Sequence, residues 1–286
     1  MYPSSFTPKL ARALGACMLI VGSSNIAHGQ SPAPASRPAA DSTSKDKDPH
    51  AVQPERPTVA THAGTVAPGW VELETGVERD HFAPSTDGFV TPAVLKFGIA
   101  DNVQFSLFGA LSKPAGVSAG VGDLAAGIKW RLVDDAPVVG DFAVLPIVKF
   151  ATGSSSLGRG TGTTDFSIIL ISSHDLGSVA MDLNAGYTRR SGDGSNAPRN
   201  ATLWTVSFGG PFGDSPIGWV GEMYGYPATS GPSGQASIVA LLAGPTLQIK
   251  SWLVVDAGII VPVSGPQPKA LYAGAVYNIG RLWKTR

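Results

Sequence analysis

Ten charged side chains stand at alternating positions between apolar residues. They are Glu72, Glu74, Lys96, Asp123, Lys129, Arg131, Lys149, Asp182, Glu222 and Asp256. Carboxylates and cations gathered on one inner face have two uses. They can line an aqueous path and tune which solutes pass, or they can pair across a filled interior and hold it rigid. The sequence leaves both open. Catalysis is less well supplied. His81 lies beside Asp80 and near Ser85, but a triad needs a base within hydrogen-bond reach of one particular nucleophile, and no serine is singled out. The glycine-rich run 158–162 is not followed by G-K-[ST], so it is no phosphate loop. No metal-ligand spacing occurs, and no cofactor is expected.

The elements that would carry these residues are strands. In Leu124-Ala125-Ala126-Gly127-Ile128-Lys129-Trp130-Arg131-Leu132, Leu124, Ile128, Trp130 and Leu132 share one face, with Lys129 and Arg131 on the other. Side chains two apart share a face only in a strand. The pattern recurs from Gly69 onward. Val71, Leu73, Thr75 and Val77 alternate with Glu72, Glu74 and Glu78. Phe142, Val144, Val148 and Phe150 oppose Lys149. Leu253, Val255, Ala257 and Ile259 oppose Asp256. Helical periodicity is not sustained anywhere after Gly69, and glycine recurs too often for helices. The apolar faces carry Phe105, Trp130, Phe150, Trp204 and Trp219; so much contiguous apolar surface would aggregate in water, which argues against a soluble sandwich. Strands of about 9–11 residues cross a bilayer when tilted by about 45°. The expectation is therefore an all-β, antiparallel transmembrane barrel over 69–286, with about twelve strands and a range of about 10–14. Longer loops, among them 80–88 and 152–164, should alternate with shorter turns.

Composition agrees. Of 286 residues, 15% are charged, the formal net charge is zero and glycine numbers 35; soluble domains average about 25% charged. With no basic excess, nucleic acid is not an expected partner. The N-terminus reads as a signal peptide over 1–29. Lys9 and Arg12 precede the apolar run 13–21, and Ala27 and Gly29 suit a cleavage site. Cys17, the one cysteine, falls inside it, too close to Arg12 to serve as a lipid anchor. Residues 30–68 are rich in Pro, Ala, Ser and Thr, with few large apolar residues. They read as a disordered linker, because such a segment cannot offset its ordering entropy by burial. The C-terminal strand, with Leu271, Ala273, Ala275, Tyr277 and Ile279 before Trp283, resembles the signal that barrel-assembly machinery reads, although Arg281 interrupts it.

Gly120-Val121-Gly122-Asp123-Leu124 followed by Lys129-Trp130-Arg131-Leu132, then Leu145-Pro146, Ala151-Thr152-Gly153, Thr164-Asp165-Phe166 and Asn184-Ala185-Gly186-Tyr187, resemble segments of a bacterial outer-membrane barrel family known as "MetA-pathway of phenol degradation" transporters. The resemblance runs roughly from Trp70 to Trp283. It implies a cell outer-membrane channel that passes small hydrophobic or aromatic compounds, with the bilayer and the assembly machinery as partners. A sealed structural or adhesive barrel is the alternative, and an outer-membrane hydrolase comes last.

Overall fold

The computed structural model describes residues 48–82, 86–192, 197–231 and 233–284. The signal peptide and residues 30–47 of the expected linker lie outside these. Thirteen strand segments follow one another: β1 (Trp70–Phe82), β2 (Thr86–Ala100), β3 (Val103–Lys113), β4 (Gly120–Val121), β5 (Leu124–Ala136), β6 (Gly140–Phe150), β7 (Asp165–Asp175), β8 (Ala180–Arg190), β9 (Asn200–Pro211), β10 (Ile217–Tyr226), β11 (Ile238–Lys250), β12 (Leu253–Ser264) and β13 (Lys269–Arg281). Each pairs antiparallel with its sequence neighbour. The short β4 and the long β5 both pair with β3 and form one interrupted stave, giving twelve staves in all. β1 pairs with β2 on one side and β13 on the other, so the sheet closes on itself. Closure leaves no unpaired edge for lipid to meet.

Alternation decides which face is which. Outward residues include Leu124, Ile128, Trp130, Phe150, Phe166 and Leu271, all strongly exposed. Inward residues at the intervening positions are buried, and many are polar. Lys96, Lys129 and Lys149 are among the largest fully buried side chains. An inside-out distribution of this kind is what a transmembrane barrel requires, since the lipid-facing surface must be apolar and the interior can be polar.

The two ends differ. Both ends of the barrel chain, Trp70 and Arg281, lie at one end with the turns 101–102, 137–139, 176–179, 212–216 and 251–252. The other end carries the loops 114–119, 151–164, 191–199 and 227–237. One expected loop is shorter than the sequence suggested. Over 80–88, β1 continues to Phe82 and β2 begins at Thr86, because outward Arg79 and His81 keep the alternation going and both bind Asp87.

The main departure from expectation lies before β1. Residues 48–68 do not form a disordered linker; they run as an irregular strap through the barrel interior. Val52, Val59, Ala60, Ala63 and Val66 are buried there, as are Glu55 and Arg56. Composition misled because it counts only apolar burial. This segment is held by polar groups of the wall, which satisfy its backbone in place of a strand ladder.

Candidate functional site

The lumen is the candidate site, and its polar wall residues hold the strap. At the terminal end His50 rests against Trp70 (ring centroids 4.9 Å apart) and stacks on Trp252 at 6.0 Å. Val52 N–H donates to the Ser251 carbonyl at 2.9 Å, and its side chain packs with Val254 and Val276. On β1, Glu72 accepts from Gln53 N–H at 2.7 Å and Glu74 from Glu55 N–H at 2.6 Å. On β12, Asp256 receives Arg56 through Nε and Nη2 at 3.0 and 3.1 Å. On β10, Glu222 accepts from Val59 and Ala60 N–H at 2.7 and 2.6 Å. On β8, Asn184 accepts from Thr61 N–H and donates to its carbonyl. Ala63 N–H reaches Ser173 Oγ on β7, and Val66 N–H reaches Gln104 on β3. The strap thus crosses the interior from the β11–β13 side and returns to the turn 101–102, where Thr65 donates to the Asp101 carbonyl.

Two lysines complete the seat. Lys96 lies between Glu72 and Glu74 and donates to the Gln53 carbonyl. Lys129 pairs with Glu55 and donates to the His62 carbonyl. Burial would raise the Glu55 carboxyl, but the charges of Lys129 and Lys96 outweigh it and hold the group down at about 2. Burial, reinforced by Lys129, drives the His62 imidazole well below its ordinary value. His62 is therefore held neutral beside two cations, with Nε2 sealed from solvent and unpartnered.

A second network closes the loop end. Lys149 pairs with Asp123 at 2.6 Å and Asp165 at 3.1 Å, and donates to the Thr163 carbonyl. Asp123 also accepts from Gly153 and Thr161 N–H, both at 2.9 Å, so the loop 151–164 is tied down over the wall. Arg190 reaches Asp165 at 3.3 Å and the Pro198 carbonyl at 2.7 Å, anchoring the neighbouring loop.

Of the ten charged residues singled out in the sequence, nine are buried. Six of them hold the strap (Glu72, Glu74, Lys96, Lys129, Glu222, Asp256), and Asp123 and Lys149 hold the loop. Asp182 accepts from Ser173 Oγ at 2.6 Å, beneath the Ala63 contact. Arg131 is half-buried at the terminal rim with Asp134 and the Asp101 carbonyl. Sequence reasoning missed Glu55, Arg56, Gln104 and Asn184. A signal for the first two was available: two adjacent charges in a segment that carries Val52, Val59 and Val66 at regular spacing. His81 meets Asp87 at 3.0 Å and is exposed on the outer face of β1.

Apolar lumen wall fills the remaining sectors. Ala125, Ala143, Leu145, Ile147, Ile169 and Ile171 pack with Ala63 of the strap. Across from them, Val220, Tyr224, Ala240, Leu242, Ile260 and Tyr272 pack with Val59.

A closed twelve-stave antiparallel wall, apolar outside and polar within, decides the architecture. The fold is that of an outer-membrane β-barrel. It is similar to an outer-membrane channel from Pseudomonas putida F1, with a TM-score of 0.55 and 12% identity over 76% of this chain and 98% of that one. The KdgM porin, in complex with disordered oligogalacturonate, aligns at a TM-score of 0.49 and 10% identity over 72% of this chain and 98% of that chain. No family model matches the chain, and no curated protein does.

Proposed function

We propose that the protein is a channel of the cell outer membrane whose lumen is closed by its own N-terminal strap and conducts when the strap is displaced. The observation that carries this reading is the way the strap is held. Its backbone N–H groups are bound by Glu72, Glu74, Glu222, Asn184 and Gln104 of the wall, and it joins no strand ladder over 51–68 apart from an isolated bridge at Pro57. A segment seated by side chains on many staves can leave without unzipping the barrel, whose wall hydrogen bonds are independent of it. The lumen it would vacate has acidic and basic groups on the terminal half and apolar sectors built on Leu145, Ile147, Ile169, Ile171, Tyr224 and Tyr272. That mixture suits small hydrophobic or aromatic solutes carrying a polar group, in line with the resemblance to aromatic-compound transporters. The long-loop end then faces outward and the two ends of the barrel chain, Trp70 and Arg281, face the periplasm, with the C-terminal strand read by the assembly machinery.

A sealed structural barrel is the second reading, favoured by the full pairing of Lys96, Lys129 and Lys149 inside. Planar-bilayer recording separates the two. The intact chain should show low conductance with rare openings, and E222A, which removes the acceptor for Val59 and Ala60, should raise the open fraction. Aromatic solutes should then block or reshape the openings. Silence from both proteins, with each band still heat-modifiable on gels, would establish the sealed barrel.

A further inference from the structure

We infer that the outward face of β13, β1, β2 and β3 at the loop end binds a phosphorylated lipid of the surrounding membrane. The inference rests on the reading above for which end faces outward, and it does not depend on conductance. Alternation puts Arg79 and His81 of β1 on the lipid side, with side chains 52% and 57% exposed. In the sheet register Lys269 of β13 stands opposite His81, and His81 stands opposite Asp87 of β2. Phe89 of β2 stands opposite both Arg79 and Lys113 of β3, and Lys113 Nζ sits 5.7 Å from the Phe89 ring centre. Three cationic side chains, Arg79, Lys113 and Lys269, therefore share one row with His81 on adjacent strands. With about 4.8 Å between strands, the row from β13 to β3 is about 14 Å wide.

One acid stands in the row. Asp87 binds Arg79 at 2.6 Å and His81 at 3.0 Å, which orders the two but leaves cations in excess. Among the described residues neither Lys113 nor Lys269 has a carboxylate partner. Immediately toward the membrane, Val77, Leu111 and Leu271 of the same strands are 46%, 55% and 56% exposed. The surface thus changes from cationic to aliphatic within two residues on each strand. That order, charge above and acyl-chain surface below, complements a lipid with anionic phosphates on its headgroup. At the opposite rim Arg131, Lys250 and Arg281 are interspersed with Asp101, Asp134, Asp135 and Asp214 in or beside the turns, so among the described residues no comparable row of unpaired cations forms there.

The test uses the full chain purified in a neutral detergent and mixed with diphosphorylated lipid A or with the same lipid dephosphorylated, retention being read by native mass spectrometry. The wild type should keep the phosphorylated form preferentially. K113Q/K269Q should weaken that retention by about tenfold or more, since each cation near an anionic lipid surface contributes roughly fivefold. K250Q, at the opposite rim, should behave as wild type, and heat-modifiability reports that each variant is folded. Equal retention of the two lipids by the wild type, or equal loss in K250Q, overturns the inference. Displacement of the lipid by inorganic phosphate alone would also overturn it, by showing a soluble-anion site. Labelling S156C on intact cells reports separately whether the loop end faces outward.

Discussion

Arg56 of the strap and Asp256 of β12 form a two-pronged pair, Nε and Nη2 each donating to one carboxylate oxygen at 3.0 and 3.1 Å. Both side chains are almost wholly buried, at 4% and 1% exposure. This geometry joins a charge 200 positions downstream to a segment that has no strand partner in the ladder.

Removing one member strands the other. D256A should destabilise the seated strap by about 3–5 kcal/mol, because an unpaired guanidinium is left inside. Hydrogen exchange at the amides of Val59 and Ala60 should accelerate accordingly, while amides in the β7–β8 ladder keep their protection. Unchanged exchange along the strap would show that the pair does not hold it.

Acid should loosen the strap in two stages. His62 is kept neutral in the seated state, so the displaced state binds more protons, and seating weakens as pH falls below the ordinary histidine value of 6.5. Glu55 is held down at about 2, from an ordinary 4.5. Its contribution is complete above 4.5 and is lost as pH falls from there toward 2. Protease cleavage within 51–66 should therefore rise on acidification from pH 7 to 5. H62Q should abolish that first rise and leave the second; an unaltered profile in H62Q would remove His62 from the account.

Lys149 bridges Asp123 and Asp165 under the loop 151–164. K149M keeps the stem volume but leaves two buried carboxylates facing each other, at a cost of about 3–5 kcal/mol. The loop should become cleavable by protease added to intact cells, with the strap seat unaffected. Cleavage confined to the strap would instead mean that the two networks are coupled.

The outer face gives a test of membrane insertion. Ile128 is 49% exposed near the middle of β5. I128R should lower unfolding stability in lipid vesicles by about 2–4 kcal/mol if that position lies at the bilayer midplane. No loss of stability is expected for a rim position such as K269Q, which already lies in the polar zone.

Much of the wall was legible from the chain alone. Leu124, Ile128 and Trp130 against Lys129 determine a strand and its two faces, because a period of two admits no other regular structure. Repetition of that pattern determines a barrel, because lipid tolerates no open edge. The sequence also placed Glu222, Asp256 and Lys96 on the inner face, since parity is a local property. It could not say what they touch. Partners such as Arg56 for Asp256, or Val59 and Ala60 for Glu222, lie 200 and about 160 positions away, and no local periodicity carries that information. The same limit explains the strap. Residues 51–66 have neither the apolar content nor the alternation that marks order from within, and their order comes from carboxylates, amides and lysines on distant strands. Those groups converge only when the sheet closes, so wall chemistry was decided by sequence and the occupancy of the lumen by tertiary structure alone.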